Sequence, residues 1–152
     1  TTSTGINVTG TAVTDGVTVD GTTSIEEVIE KVGGGTSTTG TINYNLRDGA
    51  VQNFTANQTA NRTINFRASS SETLNAMLSV GESMTCAILL LQGSTAYYLN
   101  AYQVDGSTIT PKWSGGSAPT EGNASGIDSY TFTIIKTANA TFTVLASQTQ
   151  FA

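Results

Sequence analysis

Apolar and polar residues alternate with a period of two along most of this chain. Ile42, Tyr44 and Leu46 alternate with Thr41, Asn43 and Asn45, and Ile64 and Phe66 alternate with Thr63, Asn65 and Arg67. Tyr130, Phe132 and Ile134 share one face, as do Phe142, Val144 and Ala146 on the last run. In an extended chain successive side chains point to opposite sides, so this pattern predicts half-buried strands. Met84 to Leu91 is apolar at both parities, which predicts a strand covered on both faces. Turn residues separate the runs: Arg47-Asp48-Gly49, Gly93-Ser94, Asp105-Gly106 and Thr137-Ala-Asn-Ala140. Asp105-Gly106 is a hairpin signal, with Tyr97–Val104 before it and Ile109–Trp113 expected to pair back after it.

Two stretches follow the helical period instead. Leu74, Met77 and Leu78 recur at helical spacing and Gly81 can end that helix. Ile25, Val28, Ile29 and Val32 follow i, i+3, i+4, i+7. Ser24 can cap that second helix, Glu27 sits at the capping-box position and Gly33 suits its end. About eight helical residues are marginal alone in water, so the 25–32 stripe needs a surface to pack on. That surface is the head of the same chain or the same helix in sister chains. Upstream, residues 5–22 are short Val/Ile/Thr runs cut by Gly10, Asp15-Gly16 and Asp20-Gly21, which predicts tight-turned β structure that gains partners from repeats or from other chains.

The expected organisation is a stem over 1–33 that contains the 25–32 helix, a Gly/Ser/Thr linker over 34–40, and one β domain over 41–152. About eight strands and one short helix in the last segment predict an antiparallel β-sandwich or jelly-roll-like head.

Composition sharpens this picture. Charged residues make up 11% of the 152 and the formal net charge is −5, whereas about 25% charged is usual. Uncharged polar side chains must therefore cover most of the surface. An acidic balance argues against nucleic acid and against anionic lipid. No apolar run reaches the length of a membrane helix, so no membrane insertion is expected. The opening Thr1-Thr-Ser-Thr-Gly5 lacks the basic and apolar regions of a signal peptide. Cys86 is the single cysteine, and its apolar neighbours predict burial as a small hydrophobe.

The chain has no histidine. This removes the commonest general base and the usual zinc sets, and no cofactor is expected. Paired carboxylates alone suffice for glycoside hydrolysis. The head offers Asp48, Glu72, Glu82, Asp105, Glu121 and Asp128, four of them beside glycine or in turn-like segments. The reading is a protein that is not an enzyme. Asn-X-Ser/Thr triplets at Asn7, Asn53, Asn57, Asn61, Asn123 and Asn139 follow from the richness in those residues. Tyr97, Tyr98, Tyr102 and Trp113 gather in one hairpin region and are candidate receptor or partner contacts, since aromatics with polar tips suit sugar or protein recognition. In an alternating strand Tyr98 and Tyr102 share a face and Tyr97 takes the other, so some of the four belong to the core. The Gly- and Ser-rich loop 114–126 is a second candidate surface.

The opening Val-Thr-Gly and Val-Thr-Asp-Gly-Val-Thr-Val-Asp-Gly runs resemble shafts of bacteriophage tail fibres. Ile42-Asn-Tyr-Asn-Leu-Arg-Asp-Gly-Ala-Val-Gln-Asn-Phe54, Gly93-Ser-Thr-Ala-Tyr-Tyr98, Asp105-Gly-Ser-Thr-Ile-Thr-Pro-Lys-Trp113 and the segments from Tyr130 to Phe151 are similar to C-terminal domains of virion structural proteins in tailed phages of marine cyanobacteria and related bacteria. The resemblance covers nearly all of 41–152 and implies a fibre-like virion part, assembled in the host cytoplasm with other virion proteins. It implies a homotrimer. On this reading Ile25, Val28, Ile29 and Val32 join the chains, and the head meets a host-surface glycan or protein. The alternative is a capsid decoration or head-fibre protein with a purely structural role; a glycan-degrading spike is a third class.

Overall fold

A computed structural model describes residues 9–11, 19 and 21–152. The stem-like runs over 5–22 therefore lie mostly outside the described residues.

Among the described residues, ten strands and one turn of α-helix follow one another along the chain. The strands are β1 (Gly33–Gly35), β2 (Thr41–Asn45), β3 (Val51–Phe54), β4 (Arg62–Arg67), β5 (Ser83–Leu91), β6 (Leu99–Val104), β7 (Ser107–Thr108), β8 (Lys112–Trp113), β9 (Ile127–Ala138) and β10 (Thr141–Phe151). Helix α1 (Leu74–Met77) lies between β4 and β5. A six-stranded sheet runs β1-β3-β5-β9-β10-β8, and a four-stranded sheet runs β2-β4-β6-β7. The two sheets enclose one core, so the expected sandwich is present.

Its winding differs from the expected antiparallel one. From β1 to β6 the chain places alternate strands in opposite sheets, so neighbours within a sheet run parallel. Parallel neighbours need a crossover, and here each crossover contains a strand of the opposite sheet, joined by the single turn of α1 where the connection passes from β4 to β5. The sequence makes this workable because each run is short and ends in turn residues. In-register stacking then places like on like. Ile42 lies beside Ile64 and Tyr44 beside Phe66 on the inner face. Asn43 lies beside Asn65 outside, where the Asn65 amide donates to Asn43 Oδ1 at 3.0 Å. Among the described residues antiparallel pairing appears in the long β9–β10 hairpin, in β5–β9 and in the short β6–β7 hairpin.

The alternating residues sit where their parity places them. Tyr44, Phe66, Ile88, Tyr130, Phe132 and Ile134 are all at most 1% exposed. Cys86 is buried too, and burial pushes its thiol up to about 12, well away from reactivity. The Tyr44 hydroxyl lies 2.7 Å from the Ala50 carbonyl and 2.9 Å from that of Ala87, so its one proton always has an acceptor. Polar groups enter the core only with partners: no buried side-chain nitrogen or oxygen among the described residues lacks a hydrogen bond. Lys136 shows how. Its amine donates to the carbonyls of Asn75 at 2.6 Å and Leu78 at 2.8 Å, at the end of α1 where free carbonyls gather. The Thr73 side chain caps the other end of α1 through Ala76 N, and Leu74 is fully buried, as the helical spacing predicts.

Three expectations about the first forty residues need correction. The 25–32 helix is absent; those residues have no regular secondary structure. One reason is length, since so short a helix lacks the packing it needs. A second is that the chain is held from its far end. The Glu30 carboxylate accepts the Ala50 amide, and β1 pairs with β3 directly after Val32. The linker is the second correction. Gly33–Gly35 form β1, and the Thr59 amide reaches the Thr38 carbonyl at 3.1 Å. The glycines are there for closeness rather than freedom: a Cβ on Gly34, which has φ +129°, would lie 2.0 Å from the Asn53 carbonyl oxygen. The boundary at 40 therefore does not separate β1 from the head. Gly34→Ala should free β1 from the sheet edge and cost on the order of 1–3 kcal/mol in urea unfolding, with faster amide exchange at Thr55, which donates to Gly35. Unchanged stability and exchange would show that β1 contributes nothing.

Candidate functional site

Asp105 and Gly106 both have positive φ, 50° and 80°, and so make the tight turn from β6 to β7. Asp105 also joins this turn to α1 by accepting the amides of Leu74 at 2.7 Å and Asn75 at 2.9 Å. Only Ser107–Thr108 pairs back on β6. The expected return of Ile109–Trp113 stops there, after the Ile109 amide has bonded the Tyr102 carbonyl. Pro111 carries no N–H and cannot extend the ladder. The chain crosses to the other sheet, where β8 lies parallel to β10 with Lys112 beside Leu145 and Trp113 beside Ala146.

This crossing opens a cleft of about 640 Å³ at the edge between the two sheets. Tyr102, Ile109, Pro111 and Trp113 supply its apolar surface, while Asn100, Thr110 and Lys112 bring polar groups to it. Trp113 meets Tyr102 edge-on with ring centroids 5.4 Å apart and reaches Phe132 at 6.3 Å. These contacts fix the indole by packing, so the cleft is pre-formed. The Tyr102 hydroxyl already donates to the Leu99 carbonyl, and burial pushes its pKa upward. Tyr102 therefore offers a ring edge and no free hydroxyl.

The structure thus brings together two of the four candidate aromatics, Tyr102 and Trp113. Tyr97 and Tyr98 do not line this cleft. Their backbones are held elsewhere: Tyr97 exchanges two hydrogen bonds with the Gln92 amide, at 2.8 and 3.0 Å, and the Tyr98 amide donates to Asn61 Oδ1. Both lie in the connection from β5 to β6, ahead of the strand in which alternation was expected to sort them.

Loop 114–126 divides into two parts. Gly116 and Ala118 contribute to the cleft. The second half is tied down by Asp128, whose carboxylate accepts the Asn123 amide and, at 2.9 Å, the Gln92 side-chain amide. Asp128 is fully buried and has no cation among its partners; burial raises its pKa, and these bonds oppose the rise. Reading the sequence as turns and alternation overlooks this anchor. The signal was available, since Asp128 stands two residues before Tyr130 on the same inward face.

Glu72 and Glu82 have structural partners of their own. Glu72 pairs with Arg47 at 2.6 and 3.1 Å, which holds its carboxyl below its ordinary value. Glu82 accepts the Ser79 amide in the turn after α1. Among the described residues no three of the metal-binding side-chain types cluster, and no helix is long and apolar enough to cross a membrane. Ile25, Val28, Ile29 and Val32 are 62%, 71%, 91% and 53% exposed. They do not pack on the head. The chain matches no protein-family model, no curated protein and no solved structure.

Proposed function

We propose that this chain is a non-enzymatic structural protein of a phage virion, a homotrimeric fibre-like appendage that displays its β head for attachment to a host surface. The observation that supports it most is the segment before the head. Four large aliphatic side chains within eight residues stand in water, next to a well-packed sandwich. A segment of that kind gains stability only when something covers it, and sister chains or other virion proteins are the partners the resemblance implies. The cleft between Tyr102 and Trp113 is the surface a host glycan would meet, because an apolar aromatic floor with amide, hydroxyl and amine groups around it suits a sugar ring. Individual contacts of this sort are weak, and three copies on one stalk raise the overall affinity.

The experiment is antibody labelling of intact particles together with competition of adsorption by the purified protein. We expect label on an external appendage and slower adsorption in the presence of the free head. Label spread over the capsid without any effect on adsorption would replace attachment by capsid decoration. Absence of the protein from purified particles would overturn both.

A further inference from the structure

The outer face of the six-stranded sheet bears on the chain's partners. Met84 to Leu91 reads as a strand covered on both sides, yet in the single chain only one side is covered. Cys86, Ile88 and Leu90 are buried in the core, whereas Ala87, Leu89 and Leu91 on the opposite face remain partly exposed. The neighbouring strands continue that outer face. In register across β5, β9 and β10 lie Leu91, Ile127 and Phe151, and further along Thr85, Thr133 and Leu145. Ile127, Leu145 and Phe151 are 39%, 45% and 55% exposed. The outward positions of these three strands are otherwise Thr, Ser and Ala or aliphatic, with no charged residue. Lys112, beside Leu145 on β8, brings a charge at the rim.

We propose that this face is the surface through which copies of the chain associate, a deeper statement of the homotrimer reading on which it rests. The charge pattern selects the occupant. The chain carries a net charge of −5, so most ways of bringing two copies together oppose carboxylates to carboxylates. A face without charge can meet its own copy at no such cost, and its Thr and Ser hydroxyls find partners in each other. The size also fits. Three strands of nine, twelve and eleven residues, at spacings of about 4.8 Å and 3.4 Å per residue, give on the order of 500 Å² of flat area. Side-chain relief and β3 enlarge it toward the roughly 800 Å² per partner of a stable interface. Three such faces close around a common axis, each resting on both neighbours.

The test compares the native mass of the full chain at micromolar concentration with that of two variants. Thr131→Glu puts a carboxylate at an exposed position in the middle of the face, and Thr41→Glu puts one at an exposed position outside the other sheet. We expect the wild type and T41E to be oligomers, with association of T131E weakened about 100-fold or more by like-charge repulsion while its circular dichroism is unchanged. In parallel, Thr131→Cys carries a spin label, since buried Cys86 does not react, and labels in different copies should broaden each other. An oligomeric wild type with an equally oligomeric T131E and no broadening at position 131 would overturn this face and leave the homotrimer reading standing. A monomeric wild type would overturn the homotrimer reading and this inference with it.

Discussion

Phe132→Ala is expected to lower the stability of the head by about 3–5 kcal/mol, the range for removing a buried phenyl ring from a core that cannot close up. Phe132 is 1% exposed and stands in the middle of β9. Its ring centroid lies 4.8 Å from that of Phe66, 6.2 Å from Tyr102, 6.3 Å from Trp113 and 6.4 Å from Tyr130. Those four come from both sheets and from the strand that changes sheets. No single neighbour can move into the space without leaving the others, so the cavity persists. The effect is not confined to stability. Trp113 rests edge-on against Phe132 and Tyr102, and losing one support loosens the floor of the cleft. As Trp113 is the single tryptophan, its fluorescence should shift to the red in the native variant and report the same transition as circular dichroism in urea. Phe132→Leu, which fills most of the space, should lose much less. A loss below about 1 kcal/mol for the alanine variant, with an unmoved emission maximum, would mean that the two sheets do not depend on this ring.

The core was legible because strand parity is a local property. Each residue of Tyr130, Phe132 and Ile134 faces inward for the same reason, and nothing distant has to be known. Strand direction is different. Whether β3 lies beside β5 in the same direction depends on where the chain goes between them, and the residues of β3 are the same in either case. The prior for short strands with turns between them favours hairpins, and among the described residues only Asp105-Gly106 and the 137–140 turn make them. The 25–32 stripe failed for another reason. Its spacing is helical, but spacing states what a helix would bury, and no surface among the described residues covers it. Of the candidate site, sequence supplied the residue types, and the structure brings one pair of them, Tyr102 and Trp113, into one cleft. Sequence placed Tyr97 and Tyr98 with Tyr102 and Trp113 because they are close in the chain. The crossing of β8 to the other sheet, which creates the cleft, is a tertiary event with only Pro111 as its local trace. Gly33–Gly35 read as a linker for a similar reason: a glycine required by a carbonyl 2.0 Å from its absent Cβ looks in sequence like a glycine chosen for freedom.

Arg62 yields the second large effect. It is 2% exposed and has no carboxylate among its partners. Its guanidinium instead holds the chain that leads into β2. Nη1 donates to the Ser37 carbonyl at 2.7 Å and to Gln58 Oε1 at 3.1 Å, Nη2 to Ser37 Oγ at 3.1 Å, and Nε to the Gly40 carbonyl at 3.1 Å. The plane also lies over the Phe54 ring, 5.3 Å from its centroid. Burial lowers the pKa of the group, yet guanidinium stays charged at any working pH, so these acceptors stabilise a full positive charge. Arg62→Met keeps an unbranched apolar stem but leaves two backbone carbonyls and the Gln58 oxygen without donors. The expected loss is roughly 2–4 kcal/mol. Arg62→Lys should recover only part of it, because one ammonium cannot reach acceptors spread over residues 37, 40 and 58 as the planar fork does. The loss should be local first: amide exchange at Thr59, which donates to Thr38, should rise before global unfolding, and a protease should cut near 36–40. The opposite outcome is physically meaningful, since apolar residues replace some buried charges without loss. If Arg62→Met were as stable as the wild type and equally resistant to cleavage, β1 and β2 would be held by the strand ladders alone, and the segment carrying Ile25 to Val32 would need no anchor in the head.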